Sequence, residues 1–333
     1  MPVIKRSTPP RTAKSMSVVA DKSNGCVKSL YYYKEVPFLP ALFPKSNLLA
    51  LDSFEVRGDD VFIISYPKSG TTWMQQIVAL ILNNDNLDRV RDTPMTKLVP
   101  FLEITRGGVP QHEYITSMPE SSPRAINTHL ADHILPPQIW QKKPKIIYVA
   151  RNPKDIMVSY YEFKLHDAMT WDEWFDRFLA GEVCFGSWFE LVPNWLKRRQ
   201  EPNLCLCLYE DMHQNLRENV QRVARFLEIP LEDSVVDEIT RLSTFEVMRH
   251  APVSTSTLVN KKQQSMLRKG IVGDWKNYFT VTQNETFERV YRERLAFFPD
   301  LDVFFEHIGL EQPSQWAHGT SRNMENPDSM KVL

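Results

Sequence analysis

The sequence predicts an α/β fold: a single domain with a central parallel sheet flanked by helices, built around a P-loop-like strand–loop–helix. Three observations predict it. The runs Val61-Phe62-Ile63-Ile64, Lys145-Ile146-Ile147-Tyr148-Val149-Ala150 and Leu204-Cys205-Leu206-Cys207-Leu208 are apolar almost throughout, as strands buried on both faces are. Each is followed by a stretch with helical signals. Lys68, His129, Arg151 and Tyr209 all fall at or just past strand ends, where parallel sheets hold their ligands.

Taken in order, residues 1–34 are expected to lie outside the domain, and residues 1–30 carry Lys5, Arg6, Arg11, Lys14, Lys22 and Lys28 against one acid, Asp21. That charge resembles a transit peptide, but Pro9-Pro10 breaks any amphipathic helix there, so a disordered extension is expected. Residues 35–310 contain no repeat and no Gly/Ser linker and are expected to form one domain. Residues 311–333 are expected to be a second disordered, polar tail. Within the domain, Val61–Ile64 predicts a strand and Thr71–Leu82 a helix, with Trp73, Ile77, Leu80 and Ile81 at helical spacing. Arg124–Thr128 predicts a strand after Pro123, and Lys145–Ala150 another. Asn152-Pro153 then supplies a cap and a first-position proline, opening a helix to about Lys164. Leu204–Leu208 is the last strand, followed by a helix from about Leu216 to Leu227.

Composition removes several classes of function. Lys and Arg number 40 against 41 Asp and Glu, for a net charge of −1, so no global field draws in nucleic acid or an anionic membrane. No apolar run reaches the ~18 residues of a membrane helix. The four cysteines, Cys26, Cys184, Cys205 and Cys207, have no zinc spacing and imply no structural disulfide, which points to a reducing, cytoplasmic compartment. Cys205 and Cys207 alternate along a strand and are expected on one buried face. No carboxylate set suggests a metal site.

Three segments could hold an anion. Ser65-Tyr66-Pro67-Lys68-Ser69-Gly70-Thr71-Thr72-Trp73 joins a strand to a helix and offers the helix amides, the Lys68 charge and three hydroxyls. The chain has no Gly-Lys dipeptide, so the usual triphosphate P-loop is absent. Taken alone, the segment is as compatible with an ordinary strand–turn–helix carrying a solvated lysine. Arg151 ends a strand and Ser159 lies two helical turns on, so both can hold one phosphate; Arg151 could instead pair with Asp155. Leu267-Arg268-Lys269-Gly270 places two cations before a glycine, and alone it reads as an exposed basic turn.

Together, YPKSGTTW at 66–73, THL at 128–130, ARNPKDIMVSYYEF at 150–163, LYEDM at 208–212 and RKGIVGDWKNYFTVTQNE at 268–285 resemble the cytosolic sulfotransferases. The resemblance extends from about 35 to 308. It implies 3′-phosphoadenosine 5′-phosphosulfate (PAPS) as cofactor and sulfuryl donor, and a small phenol, alcohol, steroid or amine as acceptor. It implies that Lys68, Ser69, Gly70, Thr71, Thr72 and Trp73 hold the phosphosulfate and reach the adenine. It further implies that Arg151, Ser159 and the turn Met266, Leu267, Arg268, Lys269, Gly270 hold the 3′-phosphate, and that Tyr209, Ser243, Thr244, Phe245 and Met248 line the adenosine. His129 is implied as catalytic base, with Lys68 at the leaving oxygen and Ser159 drawing Lys68 aside until acceptor arrives. Lys276, Thr280, Val281 and Glu285 match a short homodimer motif. Two positions depart from the pattern: Asn127 stands where a lysine is common, and Ser243 where a threonine is.

The acceptor pocket is expected to be apolar. Phe38, Phe43, Phe101, Asn127 and Phe163 lie near the family's substrate positions, with loops 102–122 and 250–266 setting specificity. The rival readings are a magnesium-dependent kinase, against which the missing Gly-Lys counts, a non-catalytic nucleotide-binding module, and a carbohydrate-modifying Golgi enzyme.

Overall fold

The computed structural model describes residues 30–163, 169–250, 267–296 and 298. Cys26, Met266 and all but the first residue of the 250–266 loop lie outside the described residues, as do both expected tails apart from residues 30–34. Four strands form the central sheet: β1 (Val61–Ser65), β2 (Ala125–Thr128), β3 (Lys145–Ala150) and β4 (Leu204–Leu208), in the order β2-β1-β3-β4. Every pairing is parallel, with Val61 opposite Ala125 and Lys145, and Ile146 opposite Leu204.

The alternation along each strand supplies two cores. Phe62, Ile64, Ile126, Ile146, Tyr148 and Ala150 face one side. Val61, Ile63, Ala125, Ile147, Val149, Cys205 and Cys207 face the other, under helices α1 (Thr71–Leu82) and α3 (Leu216–Phe226). Both faces are covered, which is why the strands lack polar alternation. The Cys205 and Cys207 sulfurs lie 3.9 Å apart on one buried face, as their spacing predicts.

Helix α2 (Pro153–Glu162) opens where expected: the Asn152 side chain accepts from the Lys154 N–H, and Pro153 occupies the first turn. Helix α4 (Val281–Leu295) closes the described chain with a capping box between Thr280 and Gln283. Its partner α2 meets it through Lys154, which bonds Asn284 and Glu288. The sequence reading misses a short antiparallel hairpin, Tyr31–Tyr33 with Val36–Phe38, which runs through the boundary expected at residue 35. Tyr33 and Phe38 are buried, so this hairpin belongs to the core.

The sheet order is set by chain reversal at β1. The connection from β1 runs to one side, to β2, and the next crosses β1 to reach β3 on the other. The crevice beyond the carboxyl ends at such a point is the usual ligand site in open α/β sheets.

Candidate active site

Four strand ends converge there. A cavity of about 500 Å³ is lined by Lys68 after β1, His129 after β2, Arg151 after β3 and Tyr209 after β4. The coincidence that suggested a single site in the sequence is therefore a spatial one.

The loop after β1 is held in a left-handed conformation at Lys68 (φ 70°) and Gly70 (φ 108°). A Cβ on Gly70 would stand 2.8 Å from the Tyr209 ring, so both the backbone and the packing require glycine. Gly70 caps α1, leaving the amides of Thr71 and Thr72 without helical acceptors beside the cavity. Ser69 is buried behind the loop, outside the cavity wall, and its hydroxyl has no partner. The Lys68 ammonium lies 4.2 Å from the Phe163 ring centroid. Burial and the positive charges of Arg151 and Arg268 bring its pKa down to about 7.

Arg151 stacks on Tyr209, 4.0 Å from the ring centroid, and donates to the carbonyls of Lys68 (3.2 Å) and Ile271 (3.3 Å). Its pairing with Asp155 is weak, at 4.0 Å. Asp155 instead accepts from the amides of Gly273 (2.7 Å) and Trp275 (3.0 Å), tying α2 to the basic turn. That turn is not a free surface feature. Arg268 and Lys269 are both paired to the buried Asp274, whose carboxyl is held at about 2 by these cations and Asn277 against its burial. Gly270 (φ 65°) lies so close to Phe245 that a Cβ would overlap the ring.

Trp73, Thr244, Phe245, Met248, Leu267, Lys269 and Ser159 complete the same end of the cavity. Ser243 does not line it: the residue is fully buried, and its carbonyl holds the Trp73 indole N–H at 2.7 Å. Position 243 thus acts through its backbone.

At the other end stands His129. Its Nδ1 lies 2.7 Å from the Ser65 carbonyl, which can only accept, so Nδ1 carries the proton and Nε2 keeps a lone pair. Burial brings the His129 pKa down to about 4; the bond to Ser65 opposes the shift and the Lys68 charge adds to it. Phe101 and Phe185 flank the imidazole with ring centroids at 4.9 and 5.3 Å.

The acceptor-side expectations divide. Phe43, Phe101 and Phe163 line the cavity as expected. Phe38 does not; it is fully buried behind Phe43 and Phe185, at 6.0 and 5.5 Å. Asn127 is also fully buried on β2 and absent from the cavity wall, with neither amide atom hydrogen-bonded. Leu42, Ile104 and Phe185 line this end and were missed, because an isolated apolar residue in a loop carries no signal separating pocket from core. Thr280, Val281 and Glu285 lie at the start of α4 and Lys276 in the 3-10 turn Asp274–Asn277 before it, all exposed, Val281 by 77%. Among the described residues, no cluster of His, Cys, Asp or Glu could hold a metal ion, and no helix is long and apolar enough to cross a membrane.

A loop with unpaired helix-end amides and a histidine whose Nε2 keeps a lone pair face one cavity at a sheet's carboxyl end, an arrangement suited to group transfer. The sulfotransferase domain model matches residues 58–299, and the chain belongs to the sulfotransferase family. It is 40% identical over 261 residues to sulfotransferase 1B1 of Canis lupus familiaris, covering 75% of this chain and 88% of that one. It is likewise 40% identical to sulfotransferase 1 family member D1 of Mus musculus, over 74% of this chain and 86% of that one. A crystal structure of a mouse sulfotransferase complexed with PAP superposes with a TM-score of 0.68 at 31% identity, covering 80% of this chain and 94% of that one.

Proposed function

We propose that this chain transfers a sulfuryl group from PAPS to the hydroxyl or amine of a small, largely apolar acceptor, with His129 as the base. The observation that carries the reading is the shared cavity: the phosphate loop and the His129 ring line one continuous wall. The mouse structure solved with PAP, the desulfated nucleotide, supports the choice of donor.

The residues present fit such a nucleotide. Arg151 Nε and Arg268 Nε, on two cations that line the cavity, are buried polar atoms without partners among the described residues. Buried polar atoms left unpaired cost about 1–3 kcal/mol each, and an anion would satisfy them. Lys68, Thr71 and Thr72 would hold the 5′ end, with Gly70 allowing its approach. Arg151, Ser159, Arg268, Lys269 and Gly270 would hold a 3′-phosphate, and Trp73, Tyr209, Thr244, Phe245 and Met248 the adenosine. When bound, the donor supplies an activated sulfuryl group on a phosphate leaving group.

His129 stays neutral through the physiological range because burial holds its pKa near 4. Its Nε2 takes the acceptor proton as the acceptor oxygen becomes nucleophilic. Lys68 and the α1 amides stabilise negative charge building on the leaving oxygen. Leu42, Phe43, Phe101, Ile104 and Phe185 exclude water and select an apolar acceptor. We further propose residues 35–310, with the hairpin strand Tyr31–Tyr33 that precedes them, as the catalytic unit, a cytoplasmic location, no membrane or nucleic-acid partner, and a weak homodimer through Lys276, Thr280, Val281 and Glu285. The exposure of all four supports that dimer surface.

Incubation with labelled PAPS and a panel of a phenol, a steroid, an aliphatic alcohol and an aromatic amine tests the reading. Transfer to at least one acceptor is expected, falling by about 10²–10⁴-fold in His129→Ala. PAP affinity should not change in that variant. Transfer that survives His129→Ala would overturn the assignment of the base.

A further inference from the structure

A second acidic group lies against the base. Glu103 is fully buried, and its Oε1 accepts the His129 backbone N–H at 2.8 Å. The segment before it is zipped onto the outer edge of β2. The Asn127 N–H donates to the Pro100 carbonyl and the Leu102 N–H to the Asn127 carbonyl, both at 2.9 Å, forming a parallel bridge between Phe101 and Asn127. The zipper ends at Glu103, where a side chain takes over from the backbone.

We propose that Glu103 is the positioning residue for His129: its carboxyl oxygen fixes the backbone at the exit of β2, and with it the place of the imidazole in the cavity. The inference rests on His129 being the base. His129 is then held at two points, its ring by the Ser65 carbonyl of β1 and its amide by Glu103. The residues two before and one after Glu103, Phe101 and Ile104, both line the cavity. Glu103 thereby ties the acceptor wall to the base.

Stability does not account for a carboxyl here. Burial pushes its pKa up to about 7, opposed by hydrogen bonds from His129 and Thr128, and among the described residues no cation offsets the burial. Buried charges without a partner are costly, and an apolar side chain of like volume would be the more stable choice. What an apolar residue cannot do is accept the His129 N–H. The neighbouring Leu130 N–H is met by the Thr128 hydroxyl at 3.1 Å, so the turn after β2 relies on side chains for both amides.

Two near-isosteric variants separate the bond from the charge. Glu103→Gln keeps an oxygen within reach of the His129 N–H and removes the charge. Glu103→Asp keeps the charge but withdraws the oxygen by about 1.5 Å, one carbon–carbon bond. A displacement of this order at a reacting group lowers turnover by about 10²-fold. The experiment measures kcat on the best acceptor of the panel and the PAP dissociation constant, for wild type, both variants and His129→Ala. Glu103→Asp should lose kcat by ten- to a hundredfold with PAP affinity within about threefold, which also reports that it is folded. Glu103→Gln should recover most of that loss. Wild-type kcat in Glu103→Asp, or equal loss in Glu103→Gln, would overturn the positioning role while an inactive His129→Ala leaves the base intact. An active His129→Ala would remove the base reading and this inference with it.

Discussion

A buried cation and a half-buried one at opposite ends of the sheet are held in different ways. At the amino ends of β1 and β2, Arg124 makes two bonds of 2.7 Å to Asp60, one of 2.9 Å to the Glu55 carbonyl and one of 3.3 Å to that of Ile115. Its side chain is only 2% exposed, and its charge is fully matched. At the carboxyl ends, Lys68 faces an aromatic ring and two further cations, and among the described residues no carboxylate lies within ion-pair distance of it. Arg151 beside it has one distant carboxylate and an unpartnered Nε. The first arrangement is complete and serves folding. The second carries positive charge without a close carboxylate among the described residues, an arrangement that a bound anion would complete.

The contrast breaks first on stability. Arg124→Met would strand Asp60 in the interior, and removing one partner of a buried pair costs about 3–5 kcal/mol. Urea denaturation should show that loss, while the PAP dissociation constant of the folded variant stays within about threefold of wild type. Loss of PAP binding in the folded protein would erase the distinction between the two ends.

Arg151→Met should behave oppositely. Charge-assisted bonds are worth about 1.5–3 kcal/mol each, so PAP affinity should fall by roughly ten- to a hundredfold. Stability should fall by less than in Arg124→Met, because the losses are two carbonyl bonds and the stack on Tyr209 rather than one half of a closely matched buried ion pair. Calorimetric titration and urea midpoints separate these outcomes.

The smallest effect is in pH. Lys68 is charged below its pKa of about 7 and neutral above it, far under the usual 10.4. A bound polyanion favours the charged form, so PAP affinity should fall as pH rises through 7, by up to about tenfold per unit. Lys68→Met should abolish this slope. A wild-type affinity flat from pH 6 to 9 would mean that Lys68 does not meet the nucleotide.

The same contrast explains what could be read from the sequence. The donor end is written locally. Strand, turn and helix follow one another within single segments, so α1 matches its predicted span Thr71–Leu82 and Asn152 caps α2 as foreseen. β2 begins one residue later than expected, although the Arg124 carbonyl already accepts from the Val61 N–H at 2.9 Å. The acceptor end is assembled from residues as far apart as Leu42, Phe101 and Phe185. No local pattern distinguishes Phe43, which lines the cavity, from Phe38, which backs it. Glu103 escaped notice for a related reason: a glutamate in a loop is ordinarily solvated, whereas the bridge between Phe101 and Asn127 brings this one against β2, where it is buried. Asn127, placed near the substrate by the family resemblance, is fully buried away from the cavity wall instead.

The central claim is that the unmatched positive charge beyond the sheet accommodates a nucleotide bearing a 3′-phosphate. Calorimetric dissociation constants for PAP and for adenosine 5′-phosphate, which lacks only that group, test it most directly. PAP is predicted to bind tighter by tenfold or more, the equivalent of at least one charge-assisted bond of about 1.5–3 kcal/mol. Equal affinity for the two nucleotides would contradict the account.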